Sequence, residues 1–308
     1  MTKKISSIFS IAILVAVSFS SCGTATGEYM EAQPVRFTSA VSQGVSVDSR
    51  ATGSDTHTWS AAGIGIFMQG AGNVTLAGNR QHVTTTGGAT FAPAQGHRIF
   101  WPVNDDEVSF IAYYPYASHR WDAHSGGMDF PVQIEALQNE QQQSNLLWAK
   151  ATGKNRNSGT VPLEFDHMLT KIVFNTQPGE GLTNADLLNM TVTVKGMYRN
   201  GLFEWTTGGF IPGRFTDRGD IGTHRVTPGE RFEAIVLPLH LAAGALTFEF
   251  HLNNAANEVF TWTNSGGEEL FEPGRMIVYT TTIRRVGVSF EATVNDWVVV
   301  NRPPIVAE

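Results

Sequence analysis

The sequence predicts an all-β protein, built as two β-sandwich domains in tandem. Three observations carry that expectation. Apolar segments are short, and they either alternate with polar residues or form compact runs rich in Val, Ile, Phe and Tyr, the patterns of half-buried and fully buried strands. Glycine is abundant, with 31 in 308 residues, and together with Pro, Asn and Asp it punctuates these runs closely, as sandwich turns require. Helical periodicity is almost absent, apart from residues 184–189, where Thr183 offers a cap for one short turn.

The chain opens with Lys3 and Lys4 ahead of an apolar run from Ile8 to Phe19. That run is shorter than the roughly 20 residues a membrane-spanning helix needs. Ser20, Ser21, Cys22 and Gly23 follow, so residues 1–21 read as a secretory signal peptide. Cys22 is the sole cysteine, which rules out a disulfide within the chain and a zinc site built from several thiolates. Small residues directly before a cysteine are similar to the lipobox of bacterial lipoproteins, although Phe19 stands where that motif usually has Leu. On this reading Cys22 is acylated, for example by palmitate, and tethers the chain to the outer membrane. The other reading is ordinary cleavage near Ser21, with Cys22 an incidental thiol.

Beyond the leader, Val35 to Thr38 alternates as the first strand of an N-terminal segment spanning 22–50. "GIGIFMQG" (63–70) and "VSFIAYYPYA" (108–117) are the strongest strands of a first domain placed at 51–160. "AKATGKNRNSGTVPLEF" (149–165) is polar and rich in turn residues, and it marks the boundary near residue 160. A second domain, 161–308, contains "HMLTKIVFNTQPG" (167–179), "MTVTVKG" (190–196), "FEAIVLPL" (232–239), "LTFEFHL" (246–252) and "MIVYTTTI" (276–283). "FIAYYP" and "FEAIVLP" echo one another across the halves. The echo fits two related sandwiches, and it equally fits the tendency of proline to stop strands.

Charge and chemistry narrow the function. A net charge of −7 argues against nucleic acid as a partner. Without cysteine pairs the exported fold must be held by core packing, which the 42% hydrophobic content can supply. His119, Asp122 and His124 form the tightest group of metal-ligand types, yet no further ligand is apparent and the spacing suits a solvated loop. Residues 104–107, "NDDE", lack the alternating oxygen ligands and glycine of a calcium loop. Asp166 beside His167 has no nucleophile nearby, and no GxSxG, P-loop or GxGxxG motif occurs. No enzyme, metal or cofactor is expected. Trp101, Trp121, Trp148 and Trp262 lie next to turn residues. They suit either a sugar-stacking surface or core packing.

Several segments fall in a recognisable order after the lipobox: "PVRFTSAV", "SRAT", "HTWSAAGIGIFMQG", "VSFIAYYPYA", "QQQSNLLWAKA", "LEFDHMLTKIVFNTQPGEGL", "FEAIVLP", "FEPGRMIVYTTTI" and "VSFEATVNDW". In these the chain resembles the fimbrillin-like family, the lipid-anchored pilins and accessory pilins of anaerobic gut and oral bacteria. The resemblance implies two transthyretin-like sandwiches, export as a surface lipoprotein, cleavage by an arginine-specific protease, and assembly with other pilin subunits by strand exchange. It points to Arg50–Ala51 as the bond cut, in a stretch of Ser, Asp, Thr and Gly that a protease can reach. An uncut, solvated Arg50 is the alternative, and Arg36 sits inside the strand. Val35, Phe37, Ser39 and Val41 alternate as a displaced first strand would. Val286, Val288, Phe290, Ala292 and Val294, followed by Trp297, Val298, Val299 and Val300, are candidate donor material, or else they complete their own domain. Donation from one subunit to the next is head-to-tail and generates a filament. Shaft, anchor and tip roles all fit, with host or bacterial surfaces as possible ligands. A monomeric, outer-membrane-anchored glycan-binding lipoprotein is the competing reading.

Overall fold

The computed structural model describes residues 32–41, 63–84, 89–118, 129–139 and 145–285, together with the backbone of 287–296. In chain order the strands are β1 (Arg36–Val41), β2 (Ile64–Gln69), β3 (Thr75–Val83), β4 (Thr90–Pro93), β5 (Val108–Tyr114), β6 (Asp129–Gln133), β7 (Leu147–Lys154), β8 (Thr160–His167) and β9 (Thr170–Pro178). A single turn of helix, α1 (Asn184–Leu187), separates these from β10 (Thr191–Glu204), β11 (Gly209–Gly222), β12 (His224–Thr227), β13 (Arg231–Val236) and β14 (His240–Leu241). β15 (Thr247–His251), β16 (Val259–Thr263), β17 (Glu269–Leu270), β18 (Arg275–Arg284) and β19 (Gly287–Asp296) complete the series. The all-β expectation holds, and the one helical turn expected from the sequence is present. Its start is fixed from both sides: the Thr183 hydroxyl and backbone N–H donate to the Asp186 carboxylate, at 2.7 and 2.8 Å, and the Asp186 N–H donates to the Thr183 carbonyl at 3.1 Å.

Two cores organise these strands. In the first, β1-β4-β3-β2-β5-β7-β8 hydrogen-bond in a closed ring. Ile64, Ile66, Phe110, Leu147, Val161, Leu163 and Phe165 fill its interior, all buried. Around this ring β2–β3, β2–β5, β3–β4, β5–β7 and β7–β8 are antiparallel neighbours. The closure differs in kind, because β1 lies parallel to β8.

In the second, the sheet β11-β10-β15-β16 faces the sheet β12-β13-β9-β18-β19. Phe174 of β9 and Tyr279 of β18 meet Phe248 of β15 edge-on, with centroids 4.7 and 4.9 Å apart. Trp262 of β16 stacks on Phe248 at 5.1 Å and 14°. Such aromatic contacts contribute beyond the area they bury and tie the two sheets together.

One segment joins the sandwich from earlier in the chain than its sequence position suggests. β6 pairs with β10, setting Phe130 opposite Phe203 and Val132 opposite Gly201. Ile134 N–H then donates to the Arg199 carbonyl at 2.7 Å. Farther on, the buried Gln138 amide serves as a one-residue strand for Ile235. Its Nε2 donates to the Ile235 carbonyl at 2.6 Å, and its Oε1 accepts from the Ile235 N–H at 2.7 Å. Gln138→Ala strands both backbone groups in an apolar site. We expect a loss of about 2–4 kcal/mol, read as a lower denaturant midpoint with an unchanged slope.

Candidate functional site

Several residues singled out in the sequence meet at the seat of β1. β1 runs beside β8 along its whole length, from Arg36 opposite Thr160 to Val41 opposite Phe165. Its contact with β4 is brief, Phe37 opposite Phe91 and Thr38 opposite Thr90. Val35 N–H donates to Ile99 O at 2.9 Å, Ser39 N–H to Ala89 O at 2.7 Å, and Trp101 N–H to Gln33 O at 3.0 Å. The alternation seen in the sequence is present: Val35 and Phe37 are buried, Ser39 and Val41 half-buried, Arg36 and Ala40 exposed.

Phe37 is the anchor. Only 1% exposed, its ring stands edge-on to Phe110 at 5.1 Å and to His82 at 5.2 Å. Val161, Leu163 and Phe165 of β8 face the same interior and are fully buried. Without β1, the order β4-β3-β2-β5-β7-β8 persists as an open sheet whose strand pairs all remain. β4 and β8 would become free edges, with unpaired N–H and C=O groups and an apolar trough between them.

Two polar groups lie in the floor of this seat. His82, on β3, is 1% exposed; its Nδ1 lies 3.3 Å from the Arg80 carbonyl, while its Nε2 has no partner. Burial pushes the His82 imidazole down to about 4, opposed by the Arg80 carbonyl and reinforced by nearby His97. The indole N–H of Trp101, whose ring meets Phe110 edge-on at 5.5 Å, is also buried and unpartnered. A lone histidine in the polar stretch "AGNRQHV" (77–83) carries no sequence signal for this role.

Of the other candidates read from the sequence, Cys22, Arg50, Ala51, Val286, Trp297, Val298, Val299 and Val300 lie outside the described residues. Val288 and Phe290 fall on β19, paired with Ile283 and Thr281 of β18, and Val288 packs half-buried against the sandwich core. The described tryptophans form no shared surface. Trp101 is 4% exposed in the barrel core, which for this residue favours core packing over a sugar-stacking surface: it follows the segment that backs β1 and turns inward to fill the space beside Phe110. Trp148 Nε1 donates to the Trp205 carbonyl at 2.6 Å, Trp262 stacks in the sandwich, and Trp121 lies outside the described residues.

His119, Asp122 and His124 are likewise outside them. Residues 104–107 are exposed, with a bond from the Asn104 amide to Asp106. His167 Nδ1 lies 2.9 Å from Asn145 Oδ1, an amide rather than a nucleophile. Among the described residues no three or more His, Cys, Asp or Glu side chains stand together as metal ligands.

Known proteins share this fold. A family model described as fimbrillin-like matches residues 49–297. A curated protein of Bacteroides uniformis, described as "Putative fimbrium subunit Fim1C", is 32% identical over 248 residues, covering 78% of this chain and 79% of its own length. A solved structure from the same species, described as "a putative cell adhesion protein", is 29% identical; the match covers 86% of this chain and 99% of that one, with a TM-score of 0.68. The tip fimbrial protein Mfa3 of Porphyromonas gingivalis, at 8% identity, shares the fold, with a TM-score of 0.53 over 76% of this chain and 93% of that one. The architecture is therefore that of the bacterial fimbrial and cell adhesion proteins of known structure. The chain belongs to the fimbrillin-like family.

Proposed function

We propose that the chain is a structural subunit of a cell-surface fimbrium, without catalytic activity, and that it assembles by exchange of its first strand. The observation that carries this reading is the singular place of β1: it closes the barrel in parallel, and its departure breaks no pair among the other strands. The family match begins at residue 49, beyond β1 and beside Arg50. Relatives described as fimbrial or adhesion proteins support the surface location.

In this reading residues 1–21 direct export, Cys22 is the lipidated anchor in the outer membrane, and an arginine-specific protease cuts Arg50–Ala51. The ring of β2–β5, β7 and β8, and the strands β6 and β9–β19, then form the two transthyretin-like domains of the mature subunit, with β8 on the first-domain side of the boundary. Loss of Val35, Phe37 and Val41 opens the trough, and an extended segment of another subunit fills it, satisfying backbone groups and apolar pockets together. Because β19 is already paired along β18, the donor segment is the apolar run of Trp297, Val298, Val299 and Val300 that follows it. Of the tryptophans read as a sugar-stacking surface, Trp101 is buried and Trp148 and Trp262 are held in separate contacts, which weighs against the glycan-binding alternative.

The test is gel migration of the surface protein with and without boiling. Wild type should give a ladder that collapses on heating. Arg50→Ala should remove that ladder and leave a longer, lipid-anchored monomer. A ladder of wild-type strength from Arg50→Ala contradicts the assigned cut site.

A further inference from the structure

His82 is a buried imidazole in the wall of the β1 seat, and its hydrogen bonding is incomplete. A carbonyl can only accept, so the contact with Arg80 O places the proton on Nδ1 and leaves Nε2 as a bare acceptor. A second proton at Nε2 would put an N–H and a positive charge into an apolar interior with nothing to receive them. The strand neighbours offer no relief: Ile64 of β2 and Pro93 of β4 sit opposite His82, and β1 covers it with the Phe37 ring. Arg80, on the same strand, directs Nη1 to the Gly96 carbonyl at 3.4 Å. His97 Nδ1 accepts the Gln81 N–H at 2.9 Å, and its proximity disfavours a positive charge on His82. Arg36 of β1 is exposed, on the opposite face of the strand from Phe37.

We propose that His82 is an acid-sensitive latch on the first strand: it is held neutral while Phe37 covers it, is free to take a proton once β1 has left, and so makes mild acid favour release of β1. This rests on the strand-release reading above and adds its regulation. The direction follows from linkage. With β1 seated the imidazole is lowered to about 4, against its ordinary value of 6.5. A group depressed in this way stabilises the closed state fully above 6.5, and the stabilisation fades as pH falls from there towards about 4. Between pH 7.5 and 5.5 the open-to-closed ratio should rise about ten-fold.

The experiment is hydrogen–deuterium exchange on the full chain at pH 7.5 and 5.5, corrected for intrinsic exchange rates. Opening of the amides of β1, and of residues 161–165 facing them, should rise about ten-fold in wild type and stay flat in His82→Asn. A titration of the His82 ring in wild type by NMR provides a second reading that needs no variant, and it should give a value far below the ordinary one. A pH-independent opening of β1 in wild type, a ten-fold rise retained in His82→Asn, or a His82 ring that titrates normally would each overturn the latch. None of these outcomes affects the strand-release reading, which stands or falls on the heat-labile ladder.

Discussion

Phe37→Ala should lower stability by about 3–5 kcal/mol, the range for removing a fully buried aromatic ring. The loss should be local. Phe37 reaches Phe110 and His82 from a strand held by β8 on one side and only briefly by β4 on the other. With the ring gone, β1 retains the part-buried Ser39 and Val41 and the flanking Val35, too little apolar surface to keep it seated. Hydrogen exchange should therefore accelerate along β1 and β8 while β9, β15 and β18 keep their protection. If subunits exchange strands, the same variant, once cut, should polymerise faster than wild type, because the strand to be displaced is held less tightly. Uniform loss of protection across both cores would mean that Phe37 supports the whole fold rather than a removable strand.

Glu233→Ala should be as severe for a different reason. Glu233 of β13 is 5% exposed and Lys171 of β9 7% exposed, with Lys171 Nζ 3.0 Å from one carboxylate oxygen and Arg231 Nη2 2.6 Å from the other. Burial alone would raise the Glu233 carboxyl, but Lys171 and then Arg231 more than offset it and hold it below the usual carboxylate range. Alanine removes the carboxylate that Lys171 and Arg231 share, and breaking a buried ion pair of this kind costs about 3–5 kcal/mol. The pH dependence has a definite sign. A carboxyl depressed in the folded state contributes stability that is complete above its ordinary value of 4.5 and is lost as pH falls through the lower folded value. Denaturant unfolding should show the full gap between variant and wild type at pH 7, and a narrowing gap below about pH 4. A gap independent of pH would assign the effect to packing.

Local patterns make much of the fold legible in the sequence. The runs that become β5, β9, β13, β15 and β18 are short, β-branched or aromatic, and bounded by turn residues, and Thr183 marks the start of α1. The alternation of Val35 and Phe37 marks β1 as two-faced. What escapes such reading is non-local or locally contradictory. β6 carries Pro131 at its centre, which argues against a strand, yet it pairs with β10 through Leu202 opposite Pro131. β11, "GFIPGRFTDRGDIG", reads as successive turns but follows β10 for its whole length, with bulges absorbing the mismatch. The parallel closure of β1 on β8, the placement of Gln138 against Ile235, and the meeting of Lys171 with Glu233 join residues far apart in the chain. No window of sequence displays such pairs. Trp101 and His82 belong to the same class: each side chain's surroundings are set by strands distant in sequence.

Everything proposed for assembly depends on the β1 seat being filled by a strand from another subunit once β1 has gone. An electron cryomicroscopy structure of the fibres formed after cleavage at Arg50 tests it directly. Strand exchange predicts an extended segment of a neighbouring subunit lying beside residues 160–165 of β8, with its apolar side chains over Phe110 and His82. A seat still occupied by residues 36–41, or a barrel closed by β4 meeting β8 with no neighbouring strand between them, would contradict it.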